Sequence, residues 1–148
     1  MPPRKERIAV VFDTNVLIAF YLSRNSKSVV SKIIRLWRNE RKLQMIVSDE
    51  IIAEYLEILE RVGIHENRIE RLKEILETYG IVSKISPGKI PAESRDADDN
   101  LILAAALAGR ADFLITNDKD LLDISESDKK KFKFRIVMPT EFLRAIGE

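Results

Sequence analysis

The sequence predicts an α/β domain, a three-layer α/β/α sandwich around a central parallel β-sheet of about five strands. Short apolar runs rich in β-branched residues are typical of strands buried on both faces. Helical patterns with an apolar stripe alternate with these runs, as expected when helices cover both faces of a parallel sheet. The 148 residues contain no internal repeat and no long linker, so a single domain over residues 1–148 is expected.

The predicted strands are short and apolar. Ile8–Phe12 (IAVVF) is a continuous β-branched run of the kind that is buried on both faces of a sheet. Four later runs have the same character, and in chain order they are Met45–Val47, Ile81–Ile85, Phe113–Thr116 and Phe134–Val137. Because strands alternate with helices along the chain, we expect the strands to pair in parallel.

The predicted helices rest on apolar periodicity and on capping residues. Ser48 is a good N-cap for a helix that runs to about Val62, and Gly63 favours its end. Pro139 stands where a final helix would begin, since proline is favoured at the first helical position. The other predicted helices are Asn15–Leu22, Ser28–Arg41, Glu66–Thr78, Ala97–Ala108 and Asp118–Leu122. The turn-rich segment from Ser86 to Pro91 is predicted to be a flexible loop.

Composition excludes several kinds of site. With no cysteine, the chain has no disulfides, no thiolate metal ligands and no cysteine nucleophile. No apolar run approaches the roughly 20 residues needed to span a bilayer. The first residues show no signal-peptide pattern, so a cytoplasmic protein without membrane association is expected.

Charge is unevenly distributed along the chain. Residues 1–47 carry ten Lys and Arg against three Asp and Glu, residues 48–128 carry nine against nineteen, and residues 129–148 carry six against two. An acidic centre between two basic ends would suit a metal site beside a phosphate-binding rim. An ordinary solvated surface explains the same distribution, so charge alone leaves both interpretations open.

Three polar clusters fall where they can reach one edge of the sheet. In open parallel sheets, ligands bind beyond the carboxyl ends of the strands. Two of the clusters directly follow predicted strands, and the third opens the helix that leads into the fourth strand. The clusters are Asp13-Thr14-Asn15, Thr116-Asn117-Asp118 and Asp96-Ala97-Asp98-Asp99.

Each cluster also has an ordinary explanation. Asp13 and Asp118 can cap the helices that follow them, and acidic residues at 96, 98 and 99 suit a helix N-terminus through the macrodipole. Several carboxylates that converge at one edge would, however, repel one another. A divalent cation relieves that repulsion, and oxygen ligands favour Mg²⁺ or Mn²⁺.

Other chemistries lack their motifs. The chain contains neither GxGxxG for a dinucleotide nor GxxxxGK[ST] for a phosphate-binding loop. The single histidine, His65, precedes a predicted helix start and is expected to be a solvated cap or loop residue. Acid-rich metal chemistry remains, in which bound ions activate water and stabilise a phosphoryl leaving group.

Four segments, in order over most of the chain, together resemble the PIN-domain family. They are VFDTNVLI (11–18), SDEIIAEYLEIL (48–59), DADDNLILAAAL (96–107) and ADFLITNDKDLL (111–122). The resemblance is strongest to the small prokaryotic members that include VapC-like toxins. It implies a fold similar to the nuclease core of flap endonucleases and Mg²⁺- or Mn²⁺-dependent cleavage of single-stranded RNA. It also implies an antitoxin protein as partner and a homodimer.

The same resemblance assigns roles to individual residues. It implies four catalytic acids, which are Asp13, Glu54, Asp99 and Asp118. Of these, Asp13, Asp99 and Asp118 are the expected metal ligands. Supporting residues are expected at Asn15, Asp96, Thr116 and Asn117. Glu54 depends on the resemblance alone, because a helical wheel places it toward the polar side of its helix.

Two other functions remain open. One is a catalytically silent module of the same fold that binds a protein or RNA. The other is a phosphotransferase with Asp13 as covalent nucleophile, although such enzymes usually carry a second Asp where this chain has Asn15. Substrate phosphates would suit a basic helix face or a lysine run, although solvated surfaces explain both. The residues concerned are Lys32, Arg35, Arg38, Arg41, Lys42 and Lys129–Lys131.

Overall fold

The computed structural model of the chain describes residues 7–78, 80–87, 97–124 and 132–148, and only the backbone of residues 97–100. Most of the predicted loop between Ser86 and Pro91 lies outside these residues. Asp96 and Lys129–Lys131 also lie outside them. In the described parts of the chain, no helix is both long and apolar enough to cross a membrane.

Within the described residues, five short strands form one sheet in which every neighbouring pair is parallel. The strands are β1 Ile8–Phe12, β2 Leu43–Val47, β3 Val82–Lys84, β4 Phe113–Ile115 and β5 Arg135–Val137. Their order across the sheet is β3-β2-β1-β4-β5. β1 therefore lies at the centre, and its four residues from Ala9 to Phe12 are buried. The predicted five-stranded parallel sheet is confirmed.

Seven helices are described. They are α1 Thr14–Leu22, α2 Val29–Arg38, α3 Asp49–Arg61, α4 Glu66–Leu76, α5 Ala97–Ala108, α6 Lys119–Leu122 and α7 Pro139–Ala145. The prediction that α2 extends to Arg41 is wrong. The helix ends at Arg38 and Arg41 takes a positive φ of 54°, because the chain must turn there to enter β2. That strand begins at Leu43, two residues earlier than predicted.

Helices cover both faces of the sheet. On one face the ring of Phe12 meets Trp37 of α2 edge-on at 6.0 Å, and Phe113 meets Phe142 of α7 at 5.1 Å. On the opposite face α5 approaches β2 at Gly109, where an added Cβ would lie 2.5 Å from the Ile46 side chain. The glycine thus permits close contact between helix and sheet. These contacts confirm the three-layer α/β/α arrangement.

The register of β1 and β4 brings two polar segments together. Phe12 pairs with Ile115, the last residue of β4, so Asp13 and Thr116 are the next residues on two neighbouring strands. The backbone N–H of Asp13 donates to the carbonyl of Ile115 at 3.0 Å. The two predicted polar clusters therefore meet at the carboxyl edge of the sheet.

Candidate active site

Asp13 is a buried carboxylate with three hydrogen-bond donors around it. Asp13 as a whole residue is only 7% exposed. One oxygen, Oδ1, accepts from the backbone N–H of Thr14 at 2.7 Å. The other, Oδ2, accepts from the Thr116 hydroxyl at 2.6 Å and from the Asn15 side-chain amide at 3.1 Å. Asp13 is also the N-cap of α1, so its capping role and a place in the site coexist.

The surroundings of Asp13 oppose its negative charge on balance. Burial raises the pKa of the Asp13 carboxyl above its ordinary value, and the nearby charge of Asp118 raises this pKa further. The hydrogen bonds from Thr116, Thr14 and Asn15 lower the pKa but do not cancel the rise. The donors thus fix the orientation of the carboxylate, while its charge lacks full compensation. A cation beside Asp13 would supply the missing charge.

Thr116 joins the end of β4 to Asp13. Its hydroxyl donates to Asp13 and accepts from the backbone N–H of Asp118 at 2.9 Å. The half-buried Asp118 caps α6 by accepting from the Asp120 N–H at 2.8 Å. In addition, the Asn117 N–H donates to Oδ1 of Asn15 at 3.3 Å. A hydrogen bond therefore joins the segments of Asn15 and Asn117.

Glu54 reaches the same edge from the middle of α3. Its Oε2 accepts from the hydroxyl of Thr14 at 2.7 Å, which places it beside the residue that follows Asp13. The helix is held there by a buried stripe of Ile51, Tyr55 and Leu59. Glu54 itself is half-buried at the margin of that stripe, so a position toward the polar side still reaches the sheet edge.

Tyr55 anchors α3 to the carboxyl end of β1. Its fully buried hydroxyl donates to the carbonyl of Phe12. Burial raises the pKa of Tyr55 well above its ordinary value, and the charges of Asp13 and Glu54 raise it further. The hydroxyl is therefore a neutral donor beside two carboxylates. Sequence reasoning did not single out Tyr55, although a buried tyrosine hydroxyl usually has a hydrogen-bond partner.

Replacing this hydroxyl gives the first testable prediction. Tyr55→Phe is expected to lower the free energy of unfolding by about 1–3 kcal/mol, because the Phe12 carbonyl loses a buried donor. Denaturant unfolding measures the loss. Tyr21→Phe is the matched control, since among the described residues the Tyr21 hydroxyl makes no hydrogen bond. Equal stability of both variants would show that the Tyr55 hydroxyl does not hold α3 to β1.

The remaining predicted acids lie in α5 and before it. The backbone of Asp99 is in the first turn of α5, and its side chain is outside the described set, as is all of Asp96. Because α5 ends near the start of β4, its first turn lies toward the carboxyl edge. Among the side chains that are described, no group of three or more His, Cys, Asp or Glu is arranged to hold a metal ion. The ligand role of Asp99 stays a prediction.

The chemistry of the described carboxylates suits a hard cation, although they do not by themselves form a complete metal site. Among the described side chains, the carboxylates at this edge are Asp13, Glu54 and Asp118, and all of their donor atoms are oxygens. Such ligands favour Mg²⁺ or Mn²⁺ over metals that prefer nitrogen or sulfur. His65 is an exposed N-cap of α4 whose Nδ1 accepts from the Asn67 N–H at 3.1 Å. The histidine therefore has the capping role that its position predicted.

The fold and the site together define the class of protein. It is an α/β protein with hydrogen-bonded carboxylates at the carboxyl edge of its parallel sheet. The sequence profile of the PIN domain matches residues 9–120, a span that includes Asp13, Glu54, Asp99 and Asp118. The chain belongs to the PIN-domain family. The predicted family resemblance is thereby confirmed.

A solved structure shows the same fold. It is the crystal structure of VapBC2 from Rickettsia felis bound to a DNA fragment from their promoter, with a TM-score of 0.55 and 16% identity. The match covers 88% of this chain and 98% of the other. No curated protein sequence matches the chain. At this identity, the structural likeness supports the fold.

Proposed function

We propose that this PIN domain is a Mg²⁺- or Mn²⁺-dependent endoribonuclease that hydrolyses phosphodiester bonds of single-stranded RNA. The observation that carries the proposal is the buried Asp13 carboxylate, fixed by three donors and flanked by Glu54 and Asp118. Membership of the PIN-domain family supports nuclease chemistry at this edge.

Asp13, Asp99 and Asp118 would hold the divalent ion. When bound, the ion would supply positive charge for activating water and for stabilising the negative charge that develops on the phosphoryl group. The hydrogen bonds around Asp13 support this role. Thr116 and Asn15 fix the orientation of Asp13, as outer hydrogen bonds commonly do for metal-ligating carboxylates.

Thr14 and Glu54 form the second half of the proposed site. The Thr14 hydroxyl donates to Glu54 while the Thr14 N–H donates to Asp13. Thr14 therefore links the carboxylate of Asp13, which caps α1, to that of Glu54 in α3. Glu54 adds a further negative oxygen donor on the side of the site that α3 forms. This arrangement supports a catalytic role for Glu54, the acid for which the helical wheel gave no support.

Glu54→Gln is expected to lower the cleavage rate of single-stranded RNA by about 10–100-fold, because the amide removes negative charge while keeping the shape of the side chain. The assay uses labelled RNA with Mg²⁺ or Mn²⁺. Glu57→Gln on the same helix is the matched control, since Glu57 is exposed and pairs with Arg61 at 2.7 Å. It should cleave at the wild-type rate.

Loss of cleavage in both glutamine variants would contradict a specific role for Glu54. RNA binding without any cleavage by the wild-type protein, in either metal, would contradict the nuclease proposal. It would support instead a catalytically silent module that acts by binding.

We also propose that the chain acts in the cytoplasm as the toxin of a toxin–antitoxin pair and forms a homodimer. The structural likeness to VapBC2 supports this proposal, because that structure is a complex bound to a DNA fragment from the promoter. Co-expression with the product of the neighbouring gene tests it. A stable complex that suppresses cleavage is the expected result, and unchanged cleavage with no complex would contradict it.

A further inference from the structure

A groove beside the carboxyl-terminal end of α1 is lined by arginines. It has a volume of about 320 Å³ and lies between the segment that follows α1, the α2 helix and α4. Four of its lining residues are arginines from these elements, and none of its lining residues is an Asp or Glu. These arginines are Arg24, Arg35, Arg38 and Arg68, and we call the groove that they line the arginine groove.

Two of these guanidinium groups are held in place. Arg68 donates to the carbonyl of Tyr21 at 2.9 Å and lies over the Tyr21 ring at 4.6 Å. Arg35 donates to the carbonyl of Ser26 at 2.5 Å. A guanidinium has five N–H donors, so these contacts leave donors that can face the groove. Holding the side chains in advance reduces the entropy that a ligand would have to remove.

The positive charge of the groove is not balanced locally. Within the described part of the chain, none of the four arginines forms a salt bridge with a carboxylate. Burial raises the pKa of Tyr21, and the charges of Arg38 and Arg68 oppose that rise. Several like charges in one groove favour an anionic ligand.

Two lysines of the basic face considered from sequence are paired with a carboxylate. Lys42 and Lys32 lie 3.2 and 3.9 Å from the carboxylate of Glu148. Of the basic face considered from sequence, Lys32 and Lys42 therefore pair with Glu148, and Arg35 and Arg38 line the groove. Arg41 is not among the lining residues.

We propose that the arginine groove binds the phosphate backbone of the single-stranded RNA substrate. Arginine suits this ligand because its planar donors match two phosphate oxygens at once. The groove and the carboxylates share one helix, since Asp13 caps the start of α1 and Ser23 caps its end. The helix is about 14 Å long at 1.5 Å per residue. An RNA strand bound at the carboxylates would have to follow α1 over about this distance to reach the groove. This inference rests on the proposed ribonuclease function.

Binding of a labelled RNA strand of about 12 nucleotides, measured by fluorescence anisotropy in EDTA over a series of salt concentrations, tests the groove without cleavage. The Arg24→Gln/Arg38→Gln double variant should bind on the order of tenfold more weakly at low salt. Its salt slope should fall by about 1.4, because each contact to a single-strand phosphate contributes roughly 0.7. Arg24→Lys/Arg38→Lys should keep most of the slope.

The matched control removes two arginines elsewhere. Arg61 and Arg71 are exposed on α3 and α4 and pair with Glu57 and Glu74, so Arg61→Gln/Arg71→Gln should bind RNA like the wild type. Equal affinity and salt slope in both double variants would overturn the groove proposal. Displacement of RNA by poly-glutamate of equal charge would also overturn it and would indicate a site for an acidic protein segment.

A cleavage assay tests the groove proposal separately from the proposed ribonuclease activity. With Mg²⁺ or Mn²⁺, the groove variant should lose kcat/KM on the long strand and keep the wild-type value on a trinucleotide too short to reach the groove. Loss on both substrates would contradict the groove proposal. Wild-type binding that depends on the groove, without cleavage of any RNA, would contradict the ribonuclease proposal and leave the groove assignment standing.

Discussion

Asp13→Asn is expected to reduce cleavage of single-stranded RNA by about three orders of magnitude. The substitution removes a buried negative charge at the centre of the proposed site. Loss of several kcal/mol of transition-state stabilisation corresponds to such a change in rate. The fold should survive, because asparagine is also a good N-cap and can accept from the Thr14 N–H. Single-turnover cleavage with labelled RNA measures the effect.

Asp123→Asn is the control for Asp13→Asn. Asp123 is exposed and ends α6, the helix that Asp118 begins. The same chemical change at this position removes a nearby surface charge without touching the hydrogen-bonded carboxylates. It should leave the cleavage rate unchanged. A similar loss in both variants, or no loss at Asp13, would contradict the central role of the Asp13 carboxylate.

Thr116→Val is expected to lower both cleavage and Mn²⁺ affinity by about 10–100-fold, the usual effect of removing a group that orients a metal ligand. Thr116 is fully buried, and its hydroxyl links Asp13 with the backbone of Asp118. Valine keeps the shape of the side chain but satisfies neither partner, so about 1–3 kcal/mol of stability should be lost as well.

Thr116→Ser should recover most of the metal affinity and activity, because it restores the hydroxyl. That recovery separates an orienting role from a purely structural one. Thr140→Val, at an exposed position in α7, is the control for the loss of a threonine hydroxyl. If Thr116→Val kept wild-type Mn²⁺ affinity, the hydrogen bond to Asp13 would have no role in preparing the site.

The sequence predicted the fold class because the buried strands leave a strong local signal. The run Ile8–Phe12 is apolar throughout, and the structure places it at the centre of the sheet. The order of the strands was not predicted, since periodicity within a segment contains no information about its neighbours. The end of α2 was also misjudged, because the turn at Arg41 depends on the path of the chain into β2.

The site was predictable where its residues directly follow strands. Asp13 and Thr116 follow β1 and β4, so the meeting of parallel strand ends brings them together. Glu54 could not be derived in this way, because its position depends on Thr14 from another helix. A helical wheel records only the surroundings within one helix. The same limit explains why Thr14 and Tyr55 were not singled out. The metal role of Asp99 stays a prediction.

The central claim is that the carboxylates at this edge hold a divalent cation. Titration with Mn²⁺, followed by electron paramagnetic resonance of the free ion, tests this claim without RNA. The wild-type protein and Asp123→Asn should bind Mn²⁺ with equal affinity, while Asp13→Asn and Asp118→Asn should bind at least about tenfold more weakly. Equal Mn²⁺ binding by all four proteins, or binding by none of them, would contradict a metal site built on Asp13 and Asp118.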